Sequence, residues 1–538
     1  MPKNNKRSKI SEFLSKKVSF GLIIVGGTVG VLVIIYFVFT HFFPSPSEQM
    51  IKMIEESERI SVGMTDYLNG LPQTQNAQLK RLFEKGFSSY EIGKYIQAIN
   101  DFNSCLQLEP EYDGRSAVLI MNGNCFILLG NPAEAELQYR RAWAFAERIG
   151  DKSAQAAVWG NLGLIYQTLG NLDSAQTLHQ KALNLYRELG SKKEEAIQLG
   201  NLGFVFQIRK NFDRALRYHQ EASKIFKEID YPLGQINQLS HMGWIYQTRQ
   251  NFDSSLVHYQ KALEISKKIG FAEAEASQLS NIGLVYQNKG YLDIALDYYL
   301  QALDIDKKTS FKRGEAQDLL TIGWVYEQKG NLDEALKRYK SSAKTNWKVG
   351  FKSGEATALS SLGRIYQRQG NLGEALKSLT QALAIYVEMG SGQAVANLLH
   401  MIGLTYKANG QLDSALHNFQ EAKRIYLEID DVKGGARELN NIGQIYRDQG
   451  NMNEALKCYQ EALEINRAYN DQYNEASTLV NIAFIHLTRG DSEEGLKLAN
   501  QALKLFQEVG AEKEAATVAE NIKKVEELLS RDTTKTNK

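Results

Sequence analysis

The chain has 538 residues and a formal net charge of +1, from 63 basic and 62 acidic side chains. Six of the basic and one of the acidic residues lie within residues 1–43, so the rest of the chain is slightly acidic. This balance excludes the broad basic field that is typical of a nucleic-acid-binding protein. Cys105, Cys125 and Cys458 match neither a disulfide framework nor a zinc site. We interpret them as small apolar side chains and leave a bridge between Cys105 and Cys125 open.

The first predicted element is a membrane helix over residues 18–43. Its 26 residues include no Asp, Glu, Lys or Arg, and this length is enough to cross a hydrocarbon layer of about 30 Å. No small-residue cleavage site follows, which indicates an uncleaved signal anchor. Residues 1–17 form a basic tail, whereas most of the charged residues that closely follow Phe43 are acidic. The positive-inside rule therefore predicts a cytoplasmic N-terminus and an extracytoplasmic C-terminal part in a bacterial cell membrane.

Two smaller features surround this anchor. Gly26 and Gly30 form a G-x-x-x-G pair, a spacing through which two such helices can pack as a homodimer. Residues 44–76 contain prolines and an Asn-Gly-Leu-Pro turn sequence, and we predict that they form a juxtamembrane linker.

The sequence from residue 77 to residue 510 is repetitive, and from Gly123 onward the period is 40 residues. One glycine recurs in each unit and is called the repeat glycine below. The repeat glycines are Gly86, Gly123, Gly163, Gly203, Gly243, Gly283, Gly323, Gly363, Gly403 and Gly443, and Ala483 takes this position in the last unit. Apolar residues share its helical face, and a small residue such as Ala175 recurs later in each unit. Fixed spacing of this kind predicts a solenoid of closely packed helix pairs.

The glycine, small-residue and aromatic positions, together with Pro110 at the end of the first unit, resemble those of the tetratricopeptide repeat family. The resemblance implies an all-α superhelical solenoid of about eleven helix-turn-helix repeats over residues 77–510, preceded by one transmembrane helix. The period is longer than the common 34 residues, and glycines such as Gly190 replace the proline that ends a unit. In this the chain is similar to the Gly-rich, 40-residue subclass of spindle-orientation adaptors. We expect residues 511–530 to cap the array and residues 531–538 to be a disordered tail.

In this family the first helices line a concave groove, and helical geometry indicates which of their residues face it. We predict that the positions two before the repeat glycine and one, four and five after it lie opposite the core. The predicted partner contacts are Asn161, Gln167, Asn201, Phe204, Gln207, Trp244, Gln247, Asn281, Gln287, Trp324, Arg364, Arg368, Lys407, Asn441 and Arg447.

Each class of these side chains has an alternative role. A ladder of amides can bond the backbone of an extended peptide, but amides can also bridge neighbouring helices of the stack. Large apolar residues such as Trp244 can anchor a partner or pack adjacent first helices. The basic residues can attract an acidic peptide or a terminal carboxylate, or they can pair with carboxylates such as Glu327 and Asp448.

The chain has no phosphate-binding loop, no dinucleotide fingerprint, no metalloprotease motif and no nucleophile elbow. The sequence therefore predicts neither an enzyme, nor a metal site, nor a cofactor. It predicts a membrane-anchored scaffold or receptor that binds a partner protein or extended peptide in its groove. A peptide-sensing regulator whose superhelix changes shape and a structural spacer are the alternative functions. Anchored repeat receptors of the mitochondrial outer membrane, with the repeats in the cytosol, are the alternative localisation.

Overall fold

The computed structural model describes residues 77–108 and 114–536, and side chains only up to Leu529. Within these residues the fold is all-α, with 23 helices and no strand. None of these helices is both long and apolar enough to cross a membrane. The predicted basic tail (1–17), membrane helix (18–43) and linker (44–76) lie outside the described residues, as do Gly26 and Gly30.

The helices form eleven pairs followed by a single last helix. The N-terminal unit ends at Ile305 and the C-terminal unit begins at Asp306. Odd-numbered helices up to α21 are the first helices of the pairs and even-numbered helices are the second. The helices are α1 Ala77–Glu91, α2 Tyr95–Leu108, α3 Arg115–Leu128, α4 Pro132–Ile149, α5 Lys152–Thr168, α6 Leu172–Leu189, α7 Lys192–Ile208, α8 Phe212–Glu228, α9 Pro232–Thr248, α10 Phe252–Ile269, α11 Ala272–Asn288, α12 Leu292–Thr309, α13 Lys312–Gln328, α14 Leu332–Lys348, α15 Lys352–Arg368, α16 Leu372–Glu388, α17 Gly392–Ala408, α18 Leu412–Glu428, α19 Val432–Asp448, α20 Met452–Ala468, α21 Gln472–Arg489, α22 Ser492–Glu508 and α23 Glu512–Thr536.

Short turns separate the two helices of a pair, and their chemistry follows the sequence. Gly170, after α5, has a φ of 76°, which is the left-handed conformation that glycine adopts without strain. Asn171 then caps α6, because its side chain accepts a hydrogen bond from the Ser174 N–H at 3.2 Å. The Gly-Asn signal therefore ends one helix and starts the next within two residues.

The repeat glycines let the two helices of a pair approach closely. A Cβ built on Gly443 would lie 2.5 Å from Cε1 of Tyr459, and one on Gly123 would lie 2.3 Å from Cε1 of Tyr139. Both tyrosines are fully buried. Glycine costs a helix about 1 kcal/mol relative to alanine, and here the close contact with a large buried ring offsets that cost. Within each unit, the second helix of a pair also packs on the first helix of the next pair.

The last helix, α23, covers the end of the final pair. Its Ala515, Val518 and Ile522 are buried with Ala502 and Phe506 of α22 in one apolar cluster. The helix runs to Thr536, so residues 531–536 are helical where the sequence had suggested a disordered tail. The physical reason is that no glycine or proline follows Ser530, and nothing in this stretch therefore stops the helix.

A pair of glycine substitutions tests the close-approach argument. Gly443→Ala should lower the free energy of unfolding by about 1–3 kcal/mol, because its Cβ would overlap the ring of Tyr459. Gly373→Ala is the matched control, since Gly373 is exposed in α16 with no atom within 4 Å of an added Cβ. It should raise stability by about 0.5–1 kcal/mol. Unfolding in urea measures the change in stability of both variants. Equal shifts of the two unfolding midpoints would show that the close contact at Gly443 does not matter for stability.

Two truncations test whether α23 is a cap. Ending the chain at Gly510 should lower the melting temperature or cause association, because it exposes the residues that α23 buries on α22. Ending the chain at Arg531 keeps those contacts and should change neither property. Thermal unfolding and light scattering measure the two effects, and identical behaviour of both truncated chains would remove the cap assignment.

Candidate partner-binding face

Packing leaves two positions of the first helices partly exposed in most repeats. They lie two residues before and five residues after the repeat glycine, as at Asn281 and Asn288 of α11. These positions of the odd-numbered helices are called the first-helix face below. They are the part of the predicted contact surface that a partner can reach from solvent.

The asparagines before the repeat glycine lie on this face and also link neighbouring repeats. Asn161, Asn281 and Asn441 are half-buried, whereas Asn201 is 4% exposed. The side-chain N–H of Asn161 donates to Oδ1 of Asn124 in the preceding repeat at 3.3 Å. The half-buried amides therefore satisfy one partner inside the stack and still contact solvent.

The glutamines four residues after the repeat glycine are buried, whereas the sequence predicts that they lie opposite the core. Gln167, Gln207, Gln247 and Gln287 are each less than 10% exposed. The Tyr299 hydroxyl donates to Gln287 Oε1 at 3.0 Å, and that of Tyr259 donates to Gln247 Oε1 at 3.4 Å. Gln247 and Gln287 therefore bridge the two helices of one repeat. The physical reason is rotation: four residues turn a helix by only about 40° beyond a full turn, which keeps them near the glycine side.

The large apolar residues one after the repeat glycine contact neighbouring helices. Trp244 of α9 is 9% exposed and meets the ring of Phe212 in α8 edge to face, with 6.2 Å between ring centroids. Phe204 is half-buried beside His241, at 5.5 Å, and Trp324 is half-buried as well. Most of this apolar surface therefore contributes to the stacking of repeats.

In the C-terminal unit a buried carboxylate replaces the glutamine and holds two arginines. Glu327 is only 5% exposed and accepts from the Tyr339 hydroxyl at 3.0 Å. Arg364 Nη2 lies 2.8 Å and Arg368 Nη1 lies 3.1 Å from its two carboxylate oxygens. Burial alone would lower the pKa of Arg364, but the Glu327 charge raises it above the ordinary value. The predicted pairing with Glu327 is thus observed for both arginines.

One and two repeats further on, a second group of charges follows. Lys407 Nζ donates to Gln444 Oε1 at 2.7 Å and lies 3.8 Å from an Asp448 oxygen. Arg447 Nη2 lies 3.0 Å from the same carboxylate. Burial lowers the pKa of Lys407 from its ordinary value, although Asp448 opposes this.

The two groups together have more positive than negative charge. Arg364, Arg368, Lys407 and Arg447 share the two carboxylates of Glu327 and Asp448, an excess of two positive charges. In addition, Arg364 Nε and Arg447 Nη1 are buried without a hydrogen-bond partner. Buried donors without an acceptor are costly. Through its excess positive charge, this region, called the cationic stretch below, can attract further carboxylate groups.

Two repeats of the N-terminal unit have histidine where others have the bridging tyrosine. His179 and His219 are fully buried, and their Nδ1 atoms lie 2.9 Å and 2.8 Å from Oε1 of Gln198 and Gln238. The shorter rings leave the other ring nitrogens, and Oε1 of Gln167 and Gln207, without partners. Burial lowers the pKa of each histidine to about 4.

The sequence analysis missed an aromatic cleft between α4, α5 and α6. Its volume is about 570 Å³, and Trp143, Trp159, Leu178 and Tyr166 are among its lining residues. Pockets of this size accommodate one large side chain or a small ligand. The signal was present in the repeat alignment, because every other repeat has leucine at the position of Trp159. These are Leu82, Leu119, Leu199, Leu239, Leu279, Leu319, Leu359, Leu399, Leu439 and Leu479.

The described residues contain no group of three or more His, Cys, Asp or Glu side chains that could hold a metal ion. Cys105 and Cys125 are buried and no disulfide joins them. The polar groups of the first-helix face include amides such as Asn281, the cation Arg368 and the carboxylate Asp448, which suit binding through hydrogen bonds and charge.

Comparisons with known proteins were made for sequence and structure. A family model described as the tetratricopeptide repeat matches residues 154–228, 194–268, 273–345, 354–428 and 436–508, which together span more than half of the chain. No curated protein matches the sequence.

The solved structures that are similar share little sequence identity. BtubC from P. vanneervenii is 18% identical over 40% of this chain and 92% of its own, with a TM-score of 0.39. A signal transduction ATPase with numerous domains and a tetratricopeptide repeat sensor, from Pyrococcus horikoshii, is 16% identical over 69% of this chain and 56% of its own, with a TM-score of 0.48. MamA is 23% identical over 35% and 97% of the two chains, with a TM-score of 0.29. At these values the structural likenesses add nothing to the family match.

The buried histidines predict a loss of stability in acid. An unfolded imidazole takes up a proton below about pH 6.5, whereas the folded His179 and His219 do so only near pH 4. The free energy of unfolding should therefore fall as the pH drops from 6.5 towards 4, by about 3 kcal/mol per histidine once protonation is complete.

Replacing both histidines by tyrosine, which fills this position at Tyr259 and Tyr299, should remove that part of the pH dependence. Melting temperatures of the variant and the wild type at pH 7 and pH 4.5 provide the measurement. The same decrease for both proteins would show that other groups cause the acid sensitivity.

Proposed function

Because the chain belongs to the tetratricopeptide repeat family, whose members generally mediate contacts between proteins, we propose that it is a membrane-anchored scaffold or receptor for a partner protein. The partner contributes an extended segment that lies along the first-helix face. The single observation that carries this proposal is the cationic stretch, with its excess of two positive charges and its buried donors that lack acceptors.

The chemistry of this stretch favours an acidic segment or a terminal carboxylate. Guanidinium groups bind carboxylates through two parallel hydrogen bonds, and the side chains of Arg364 and Arg368 are 28% and 51% exposed. Half-buried amides such as Asn441 can add bonds to a peptide backbone, which need no particular side chain. Charge thus attracts the segment, and backbone contacts hold it.

The membrane anchor is the second part of the proposal. Residues 18–43 carry no charged side chain over 26 residues, and six basic residues precede them. This favours a single-pass protein of the bacterial cell membrane with a cytoplasmic N-terminus and extracytoplasmic repeats. Such an anchor raises the concentration of a bound partner near one membrane. Gly26 and Gly30 offer a route to a homodimer. A mitochondrial outer-membrane protein with cytosolic repeats is the alternative.

One finer family assignment and two other functions are further hypotheses. The 40-residue period and the glycines that end several units favour the Gly-rich subclass of the family. A peptide-sensing regulator would change its radius of gyration when a peptide binds. If the chain is a structural spacer, a pull-down with the repeats would recover no specific partner. Catalysis has no support from any motif in the sequence, so we propose no enzymatic activity, metal or cofactor.

The cationic stretch can be neutralised without leaving a buried charge. The quadruple change Glu327→Gln, Arg364→Leu, Arg368→Asn and Lys407→Gln introduces residue types already present at equivalent positions, such as Gln247, Leu284 and Asn288. It removes the excess of two positive charges. We expect roughly tenfold weaker partner binding at low salt and a smaller salt dependence, with unchanged helical content.

The measurement is photo-crosslinking in native membranes, with the crosslinking residue at Met401 on the first-helix face and mass spectrometry to identify the partner. Crosslinks from Lys457 on α20, an exposed second-helix residue, give the background. Lys457→Gln with Lys497→Gln is the control variant, because it lowers the net charge equally on second helices. Equal crosslinking yields from the quadruple and control variants would contradict the role of the cationic stretch.

Protease accessibility tests the orientation. Protease added to spheroplasts of a bacterial host should digest the repeats, because the six basic residues before Val18 favour retention of the N-terminus in the cytoplasm. A cytoplasmic marker protein should stay intact in the same sample. Protection of the repeats until the membrane is lysed would show the opposite orientation.

A further inference from the structure

In the C-terminal unit, one edge combines many exposed lysines with an exposed tryptophan. It consists of the residues around the turn before α13 and the turn between α14 and α15. Its exposed cations are Lys307, Lys308, Lys312, Arg313, Lys344, Lys348 and Lys352. We call this set the basic edge.

Few carboxylates oppose these seven cations. Asp306 is 3% exposed, Glu355 is half-buried, and Glu315 pairs with Lys312 at 2.7 Å. Residues 304–315 and 344–355, twelve at each turn, together have seven basic and four acidic residues, an excess of three. The charge of the cationic stretch, in contrast, comes from other helical positions, such as those of Arg364 and Arg447.

The charge of this edge is local. The equivalent stretches at the four later turns of the same unit each contain one or two more acidic than basic residues. These stretches are 384–395, 424–435, 464–475 and 504–515. The basic edge therefore does not follow from the repeat pattern itself.

Apolar groups lie among these charges. Trp347, in the last turn of α14, is 65% exposed, and Val349, in the turn that follows, is 44% exposed. The Arg313 guanidinium lies 4.2 Å from the ring centroid of Phe351, which brings the start of α13 close to the start of α15. Trp347 is the most exposed of the five tryptophans.

Six of the seven cations are lysines, and this composition favours one kind of partner. Lysine is a flexible, strongly hydrated point charge, whereas arginine is preferred for fixed bidentate pairs with protein carboxylates. Tryptophan is enriched where hydrocarbon meets headgroups, and lysines can extend their ammonium groups towards anionic phosphates. An exposed tryptophan surrounded by lysines therefore fits a fluid lipid surface better than a shaped protein pocket.

We propose that the basic edge contacts the headgroups of an anionic phospholipid membrane, with Trp347 in the interfacial layer. The contact requires no partner protein, and it goes beyond the scaffold function proposed above. Since it involves other residues than the cationic stretch, each surface can be disabled without changing the other.

Quenching of tryptophan fluorescence by brominated lipids tests the contact in the full-length protein. Residues 18–43 contain no tryptophan, so the anchor adds no signal. In vesicles that contain brominated phosphatidylglycerol, part of the emission should be quenched, and high salt should reverse it. Neutral phosphatidylcholine vesicles with the same bromination should quench little. Trp347→Phe should lose the quenched component.

The charge dependence needs a matched pair of variants. Changing four lysines of the basic edge to Glu should abolish most of the quenching. The four are Lys307, Lys308, Lys344 and Lys348. The control changes Lys433, Lys457, Lys497 and Lys504 to Glu, four exposed lysines of the same unit, and should quench like the wild type. Helical content by circular dichroism verifies that both variants are folded.

Three results would overturn the proposal: no quenching of the wild type in anionic vesicles, quenching that persists in Trp347→Phe, or equal quenching in both lysine variants. An acidic protein as the true occupant gives the first result. Loss of partner crosslinking in the quadruple variant of the cationic stretch is a separate readout, so failure of one proposal is distinguishable from failure of the other.

Discussion

The structure depends on the contact between a glycine of the first helix and a ring of the second helix, which is present in most repeats. At Gly243 and Gly283 the facing rings are Tyr259 and Tyr299, and an added Cβ would lie 2.8 Å and 2.9 Å from them. Each hydroxyl reaches past the glycine to a glutamine in the following turn of the first helix. One side chain therefore sets the spacing of the two helices and also fixes a buried amide.

The residue that faces the glycine also determines what the position four residues later can carry. Opposite Tyr299 and Tyr339, that position carries an acceptor for the tyrosine hydroxyl, Gln287 and Glu327 respectively. Opposite Gly403 the ring is Phe419, which has no hydroxyl, and the corresponding position holds Lys407. At this repeat the lysine therefore leaves no buried hydroxyl without an acceptor.

The fold could be predicted from the sequence because its information is local and repeated. Turn residues such as Gly170 and Asn171, together with the repeat glycines, indicate the helix pairs without information about residues that are distant in the sequence. The orientation of Gln167 could not be predicted in the same way, because a residue about 40° from the glycine lies at the border of the buried sector. Its burial depends on where the second helix places its ring. The basic edge was missed for another reason: it joins residues of different helices, such as Arg313 and Phe351, that only packing brings together.

The two arginines at Glu327 differ in what they contribute to fold and function. Glu327 is buried, and a buried carboxylate without a cation is strongly unfavourable. At least one arginine is therefore needed for folding, and a partner cannot compete for that pairing. What remains for a partner is the second positive charge, and the side chain of Arg368 is 51% exposed. The same holds one and two repeats on, where Asp448 neutralises only one of Lys407 and Arg447. Tyr459 faces Gly443, and its buried hydroxyl has no hydrogen-bond partner. The position four residues after this glycine holds Arg447 instead of an acceptor. Stability alone would favour an acceptor at this position, so the hydrogen bonds of this repeat do not account for the arginine.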